Sequence, residues 1–190
     1  MKLLWLDCET TGFSPQKNGL IQVAGVITVD GEEVDRFDLK ARPFQGDNIQ
    51  QAALNVSGTT MEDLLSYPDP RETLEDFIEI LDRWIDPEDP EEFLVPCGFK
   101  VGFDVRFMKA FFEKCHSPLF GNYITEEPIF DIHPLAKNYF VGKEEKPENY
   151  KLSTLADWFE LDFKAHDAFE DITISMDIFQ IIANEEADEC

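Results

Sequence analysis

The sequence predicts an α/β fold: a mixed sheet of about five strands with helices on its faces. Three observations carry this. Residues 1–41 contain three β-rich apolar runs, the last two separated by Asp30-Gly31, a pair that tolerates positive φ and favours a tight hairpin. Those runs make a three-strand antiparallel meander. From residue 72 onward apolar residues recur at helical spacing, and two short apolar runs, 93–97 and 128–132, sit among these segments as helix-linked strands.

The first run, residues 3–6, lacks alternation, as expected of a strand covered on both faces. It leads into Asp7-Cys8-Glu9-Thr10-Thr11-Gly12. Side chains i and i+2 of a strand point the same way, so Asp7 and Glu9 are expected to project together from its end. Adjacent carboxylates repel unless a cation sits between them or one keeps a proton. Oxygen ligands of this kind suit Mg²⁺ or Mn²⁺, whereas a strand merely turning polar at water is the competing reading.

Residues 13–19 read as a loop and 20–29 as a buried strand. In the return strand, 34–41, Phe37, Leu39 and Ala41 share a face while Val34 falls out of phase, leaving the start of the register open. Residues 43–69 read as a loop with one or two short helices, one capped by Thr59 or Thr60. The spacing of Leu74, Phe77, Ile78, Leu81, Trp84 and Ile85 predicts a helix over 72–85, ended by Pro87 and Pro90, before a solvated acidic loop.

After the fourth strand, 98–102 form a turn and Asp104 opens a helix that buries Phe103, Phe107, Met108, Phe111, Phe112 and Cys115. Taken alone, Asp104 reads as an N-cap. Residues 98–115 carry four basic side chains (Lys100, Arg106, Lys109, Lys114) against two acids, a local excess in an acidic chain. The fifth strand is followed by a short helix through Tyr139, and Ser153 is expected to cap a helix carrying Leu155, Ala156, Trp158 and Phe159. The last helix, 168–184, is expected to bury Phe169, Ile172, Met176, Phe179 and Ala183, with Asp171 flanking that stripe and His166 five residues before Asp171. With no repeat or linker, residues 1–184 are read as one domain and 185–190 as a frayed acidic tail.

An apolar fraction of 43% with 17 Phe argues for an ordered globule despite a net charge of −24. Lacking an 18-residue apolar run or a leader-like N-terminus, the chain is expected to be soluble and cytoplasmic, with no membrane partner. Its four scattered cysteines read as reduced thiols. With 40 acids against 16 Lys and Arg, the surface repels nucleic acid at long range. A polynucleotide substrate would therefore need local basic contacts, with divalent ions offsetting the charge of the site.

Three segments together resemble the DnaQ-like 3′→5′ exonucleases, the DEDD group of the ribonuclease H-like fold. Asp7-Cys8-Glu9-Thr10-Thr11-Gly12 is similar to the family's D-x-E-T-T/x-G. Gly98-Phe99-Lys100-Val101-Gly102-Phe103-Asp104 is similar to G-H-N-x-x-F-D, with Phe99-Lys100 where many relatives have His-Asn. His166-Asp167-Ala168-Phe169-Glu170-Asp171 resembles H-x-A-x-x-D and places the chain with the histidine (DEDDh) subgroup.

The resemblance implies a ribonuclease H-like sheet and two Mg²⁺ or Mn²⁺ ions held by Asp7, Glu9, Asp104 and Asp171. Asp7 would bridge the ions, Glu9 and Asp171 would serve the one that activates water, and Asp104 would act largely through bound water. His166 would be the general base. It also implies that Thr10, Thr11 and Gly12 hold the 3′-terminal sugar or phosphate through their backbone. Phe13 stacks on a terminal base or packs in its own loop, and Lys100 meets a phosphate or is solvated. The implied activity is release of nucleoside 5′-monophosphates from the 3′ end of single-stranded DNA or RNA. Alternatives are an oligoribonuclease-like enzyme acting on very short RNA, a proofreading partner of a polymerase, a small-phosphate hydrolase, and a non-enzymatic binding module; a homodimer is a further possible assembly.

Overall fold

The computed structural model describes residues 1–162 and 168–188, with side chains through residue 185. Strands β1 (Lys2–Thr10), β2 (Leu20–Val29) and β3 (Glu32–Lys40) form the antiparallel meander, and β4 (Val95–Gly98) and β5 (Phe130–Asp131) add in parallel. The sheet order is β3-β2-β1-β4-β5, so the first strand is the central one. Eight helices are described: α1 (Gln51–Ser57), α2 (Met61–Ser66), α3 (Pro70–Leu81), α4 (Gly102–Lys114), α5 (Phe120–Tyr123), α6 (Ile132–Tyr139), α7 (Leu152–Trp158) and α8 (Ala168–Asp188).

Alternate residues of β1 feed two cores. Leu4, Leu6 and Cys8 pack with Leu74, Phe77 and Leu81 of α3 and Phe107, Met108, Phe111 and Phe112 of α4. Trp5 faces the other way, into a layer built from α6, α7 and the Ile172, Ile178 and Ile182 side of α8. Covered on both faces, β1 has no reason to alternate apolar with polar.

The hairpin forms where expected, with φ of 53° at Asp30 and 91° at Gly31. Val34 falls out of phase because it is the extra residue of a β-bulge: Ile27 pairs with Asp35 and Thr28 with Glu33. Thr60 caps α2 in a reciprocal arrangement with Asp63.

Several expected boundaries shift. β1 continues to Thr10, so Asp7 and Glu9 lie within the strand, paired with Ala24 and Gln22, rather than beyond its end. Asp69 caps α3 and Pro70 occupies its first turn, placing the start two residues earlier. That helix stops at Leu81, where the chain tightens into Arg83 N–H to Ile80 O and Trp84 N–H to Leu81 O bonds. The tightened turn brings Arg83 and Trp84 onto the Asp35 carboxylate.

Lys151, not Ser153, is the N-cap of α7, without a side-chain cap; Thr154 instead donates to Asn149. β5 is only two residues long because α6 begins at Ile132, capped by Asp131. The buried residues of α8 are Ala168, Ile172, Ile174, Ser175, Ile178 and Ile182, while Phe169, Met176 and Phe179 are half-buried at their flank. α8 also runs four residues past 184, to Asp188.

Gly98 ends β4 against the central strand: a Cβ there would stand 2.7 Å from the Leu6 carbonyl oxygen, and its φ is 154°. Gly98→Ala is therefore expected to cost about 1–3 kcal/mol in urea unfolding. Gly121→Ala, whose Cβ meets nothing within 4 Å, should be neutral or slightly stabilising.

Candidate active site

The site lies where β4 ends and β1 continues. β4 pairs with β1 only from Leu3 to Trp5. Beyond this register the side of β1 facing β4 has no strand partner, and the Cys8 amide donates instead to Asp104 Oδ1 at 3.0 Å. Asp104 is the third residue of α4, whose N-cap is Val101, and its carboxylate accepts from the neighbouring strand as well as from its own amide in the first turn of the helix. It is 4% exposed.

Asp7 and Glu9 share the β1 face that α8 covers, and Asp171 arrives from the first turn of α8, on the same side of that helix as Ala168 and Ser175. The acids influence one another strongly. Burial, then the charges of Asp171 and Glu9, push the Asp7 pKa up to about 8. Burial and then Asp171 push Glu9 up to about 7. Burial, then Asp7, raise Asp104 well above the carboxylate range, against the opposing hydrogen bond from Cys8. Burial is the larger cause in each case, but the named partner charges act only at short range, so the structure gathers the four acids from three distant segments.

Among the described residues no ion pair engages Asp7, Glu9 or Asp104. Among them, too, no three His, Cys, Asp or Glu side chains stand in ready metal-ligand geometry. The donor set, all carboxylate oxygen and held mutually repulsive, suits hard divalent cations. His166 lies outside the described residues.

A pocket of about 320 Å³ opens beside the acids, lined by Cys8, Glu9, Thr10, Gly12, Phe13, Ala52, Ala53, Val56 and Phe103. Cys8 and Glu9 point to opposite faces of β1, and both reach the pocket. Phe13 is 80% exposed, so it is not packed into a loop core. Phe103 is braced by Phe107, with ring centroids 4.8 Å apart.

Thr10 lines the pocket and donates its hydroxyl to the Gly12 carbonyl. Thr11 does not line it: it is fully buried, its amide bonded to Gly19 O and its hydroxyl to Asn48 O. Its carbonyl accepts from the Gln50 amide, which anchors the start of α1. Thr11 therefore positions the α1 wall instead of offering its amide to a ligand. That wall (Ala52, Ala53, Val56) was not legible in the sequence, because small residues in a seven-residue helix give no apolar period. Lys100 stands apart from the pocket, on the turn after β4, with φ 58° and its amide donating to Asp131 Oδ1 at 2.8 Å.

The profile of the RNase T family, described as exonuclease, matches residues 4–179. The chain belongs to this exonuclease family. Among curated relatives it is 26% identical to the PolC-type DNA polymerase III of Thermotoga petrophila over 92% of this chain and 11% of that protein. It is 28% identical to the PolC-type DNA polymerase III of Bacillus subtilis over 84% of this chain and 10% of that one. The chain thus spans about a tenth of the length of these relatives. Among solved structures, E. coli exonuclease I in complex with a dT13 oligonucleotide superimposes with a TM-score of 0.77 at 17% identity, covering 95% of this chain and 40% of that one. A zinc-bound exonuclease I–ssDNA complex gives 0.80 at 16%, covering 98% and 41%. These likenesses establish the shared ribonuclease H-like architecture. Among the described residues no helix is long and apolar enough to cross a membrane.

The raised carboxylates give a sign to the pH dependence. A folded-state pKa of about 8 against an ordinary 3.8 means that Asp7 favours the folded state fully below 3.8 and loses this contribution as pH rises through about 8. In EDTA, Asp7→Asn is expected to unfold at a higher temperature than wild type at pH 8, with the gap narrowing toward pH 5. Added Mg²⁺ should raise the wild-type midpoint more than the variant's. A gap independent of pH would contradict the electrostatic account.

Proposed function

We propose that this chain is a 3′→5′ exonuclease acting on single-stranded DNA, hydrolysing the terminal phosphodiester to release a nucleoside 5′-monophosphate. The observation that carries the proposal is the convergence of four mutually repelling acids beside an apolar pocket open at the edge of β1. Asp7, Glu9, Asp104 and Asp171 would hold two Mg²⁺ or Mn²⁺ ions, which when bound supply a more acidic water and neutralise charge on the phosphate.

The chain's own residues do the rest. Phe13 and Phe103 accept the terminal base between apolar surfaces, and Thr10 and Gly12 line the end of the pocket beside the acids. His166, five residues before Asp171, takes the proton of the attacking water. The water oxygen bonds to phosphorus as the P–O3′ bond breaks, and the departing 3′-oxygen takes a proton from solvent, so the shortened strand leaves with a 3′-hydroxyl. A terminal base must unstack to enter such a pocket, hence the preference for single strands.

DNA is favoured by the curated relatives, which are DNA polymerases of the PolC type, and by the DNA oligonucleotides bound in the fold neighbours. The same relatives suggest proofreading beside a polymerase. A second reading, cleavage of very short RNA, is favoured by the net charge of −24, which leaves little basic surface for a long polymer.

5′-Labelled single-stranded DNA, RNA and dinucleotides incubated with Mg²⁺ or Mn²⁺ test both readings. Stepwise shortening of DNA from the 3′ end is expected, abolished by EDTA and by Asp7→Ala or Asp104→Asn. His166→Ala should slow it about 10²–10⁴-fold. Selective loss of short RNA would favour the second reading, and shortening that persists in EDTA would overturn both.

A further inference from the structure

We propose that Lys100, His133 and Lys137 form a phosphate-binding rim that holds the backbone of single-stranded DNA on the 5′ side of the bond being cut. The inference rests on the exonuclease reading above and adds to it the path of the strand outside the terminal pocket.

The rim is assembled by one carboxylate. Asp131 Oδ1 accepts the Lys100 amide at 2.8 Å and the His133 amide at 3.0 Å, tying the turn after β4 to the start of α6. This holds Lys100 in the left-handed region, φ 58°, which few non-glycine residues adopt without such support. The Lys100 ammonium stands 5.4 Å from the Phe99 ring centroid, and the His133 ring meets the same ring edge-on at 5.5 Å. One turn along α6, the Lys137 ammonium lies 6.0 Å from the Tyr150 ring. The cations share a neighbourhood: after burial, the charges of Lys100 and Lys137 lower the basicity of His133, with Asp131 opposing.

The place is right for a strand leaving the acids. β1, β4 and β5 are mutually parallel, and β4 and β5 end here alongside the middle of β1, Gly98 pairing with Asp131 and abutting Leu6, next to Asp7. Phe99 packs into the core face that Trp5 and α8 share, the face bearing Asp7 and Glu9.

The charges are also spare. In a chain with 40 acids to 16 Lys and Arg, Lys100 and Lys137 form no ion pair among the described residues, as is also true of Lys17, Lys40, Arg71, Arg106, Lys146 and Lys151; what sets the two apart is their place beside the strand ends next to Asp7. Two exposed ammonium groups kept clear of so many carboxylates, beside aromatic rings, match the chemistry of a single-stranded phosphodiester backbone.

The test measures binding, so that it stands whether or not cleavage is seen. Fluorescence anisotropy of a 5′-fluorescein dT oligomer, with Ca²⁺ in place of Mg²⁺, is followed from low to moderate salt. Lys100→Gln with Lys137→Gln is expected to weaken binding about tenfold and to reduce the slope of log affinity on log salt by about 1.4, two contacts at roughly 0.7 each. Lys100→Arg with Lys137→Arg should restore the slope. Arg71→Gln with Arg83→Gln changes the net charge equally on exposed positions of the opposite layer and should leave the slope unchanged. Equal losses in the two Gln pairs would mean that bulk charge alone acts, and an unchanged slope in the lysine pair would overturn the rim. Wild-type binding without metal-dependent cleavage would fail the exonuclease reading while leaving the rim intact.

Discussion

Strand β4 ends while its neighbour β1 continues, and the candidate site follows from that mismatch. An unpaired amide at the edge of a central strand is costly when shielded from water. Here the Cys8 amide finds Asp104, and in accepting it Asp104 is drawn under the strand that carries Asp7 and Glu9. Gly98 permits the close approach, since any side chain there would strike the Leu6 carbonyl. The same open edge lets Cys8 and Glu9, which belong to opposite faces of the strand, line one pocket. A β4 longer by two residues would pair the amide, close the pocket and leave Asp104 to its helix.

The acids so gathered oppose the stability of the fold that gathers them. Each carboxylate raises the pKa of another, and burial adds to the effect. The surrounding cores tolerate this because they are extensive: β1 is covered by α3 and α4 on one face and by α6, α7 and α8 on the other. Functional sites are commonly placed at such local cost, which a bound cation would offset. The wider charge of −24 extends the theme, since an acidic surface repels a polyanion at long range and leaves any attraction to local groups of Lys and Arg.

The hairpin at Asp30-Gly31, the strand 20–29 and a cap at Thr59 or Thr60, which the structure assigns to Thr60, were legible because each depends on residues close together in sequence. The bulge at Val34 was visible as a break in phase but not as a pairing, which is a property of two strands. The C-terminal end of α3 and the start of α7 were misjudged because Asp35, remote in sequence, and Asn149 hold the flanking residues through side-chain hydrogen bonds, while the start of α3 was set by the Asp69 cap and Pro70. On α8 the bulkiest residues were expected inward, whereas the sheet takes the β-branched and small ones, Ile172, Ser175, Ile178 and Ile182, and leaves Phe179 to meet Trp5 edge-on, with ring centroids 5.5 Å apart. In the site, the acids were legible as motifs with a physical rationale. Thr11 as a backbone anchor and α1 as a pocket wall were not, since both arise from contacts across loops.

We propose that Asp7, Glu9, Asp104 and Asp171, which the fold brings together, form a ligand set for hard divalent cations. Anomalous diffraction from crystals grown with Mn²⁺, recorded near the manganese absorption edge, tests it most directly. Peaks lying among these four carboxylates are expected, and they should disappear in crystals of Asp7→Asn. Manganese bound elsewhere, or a lysine ammonium seated among the acids in its place, would contradict the account.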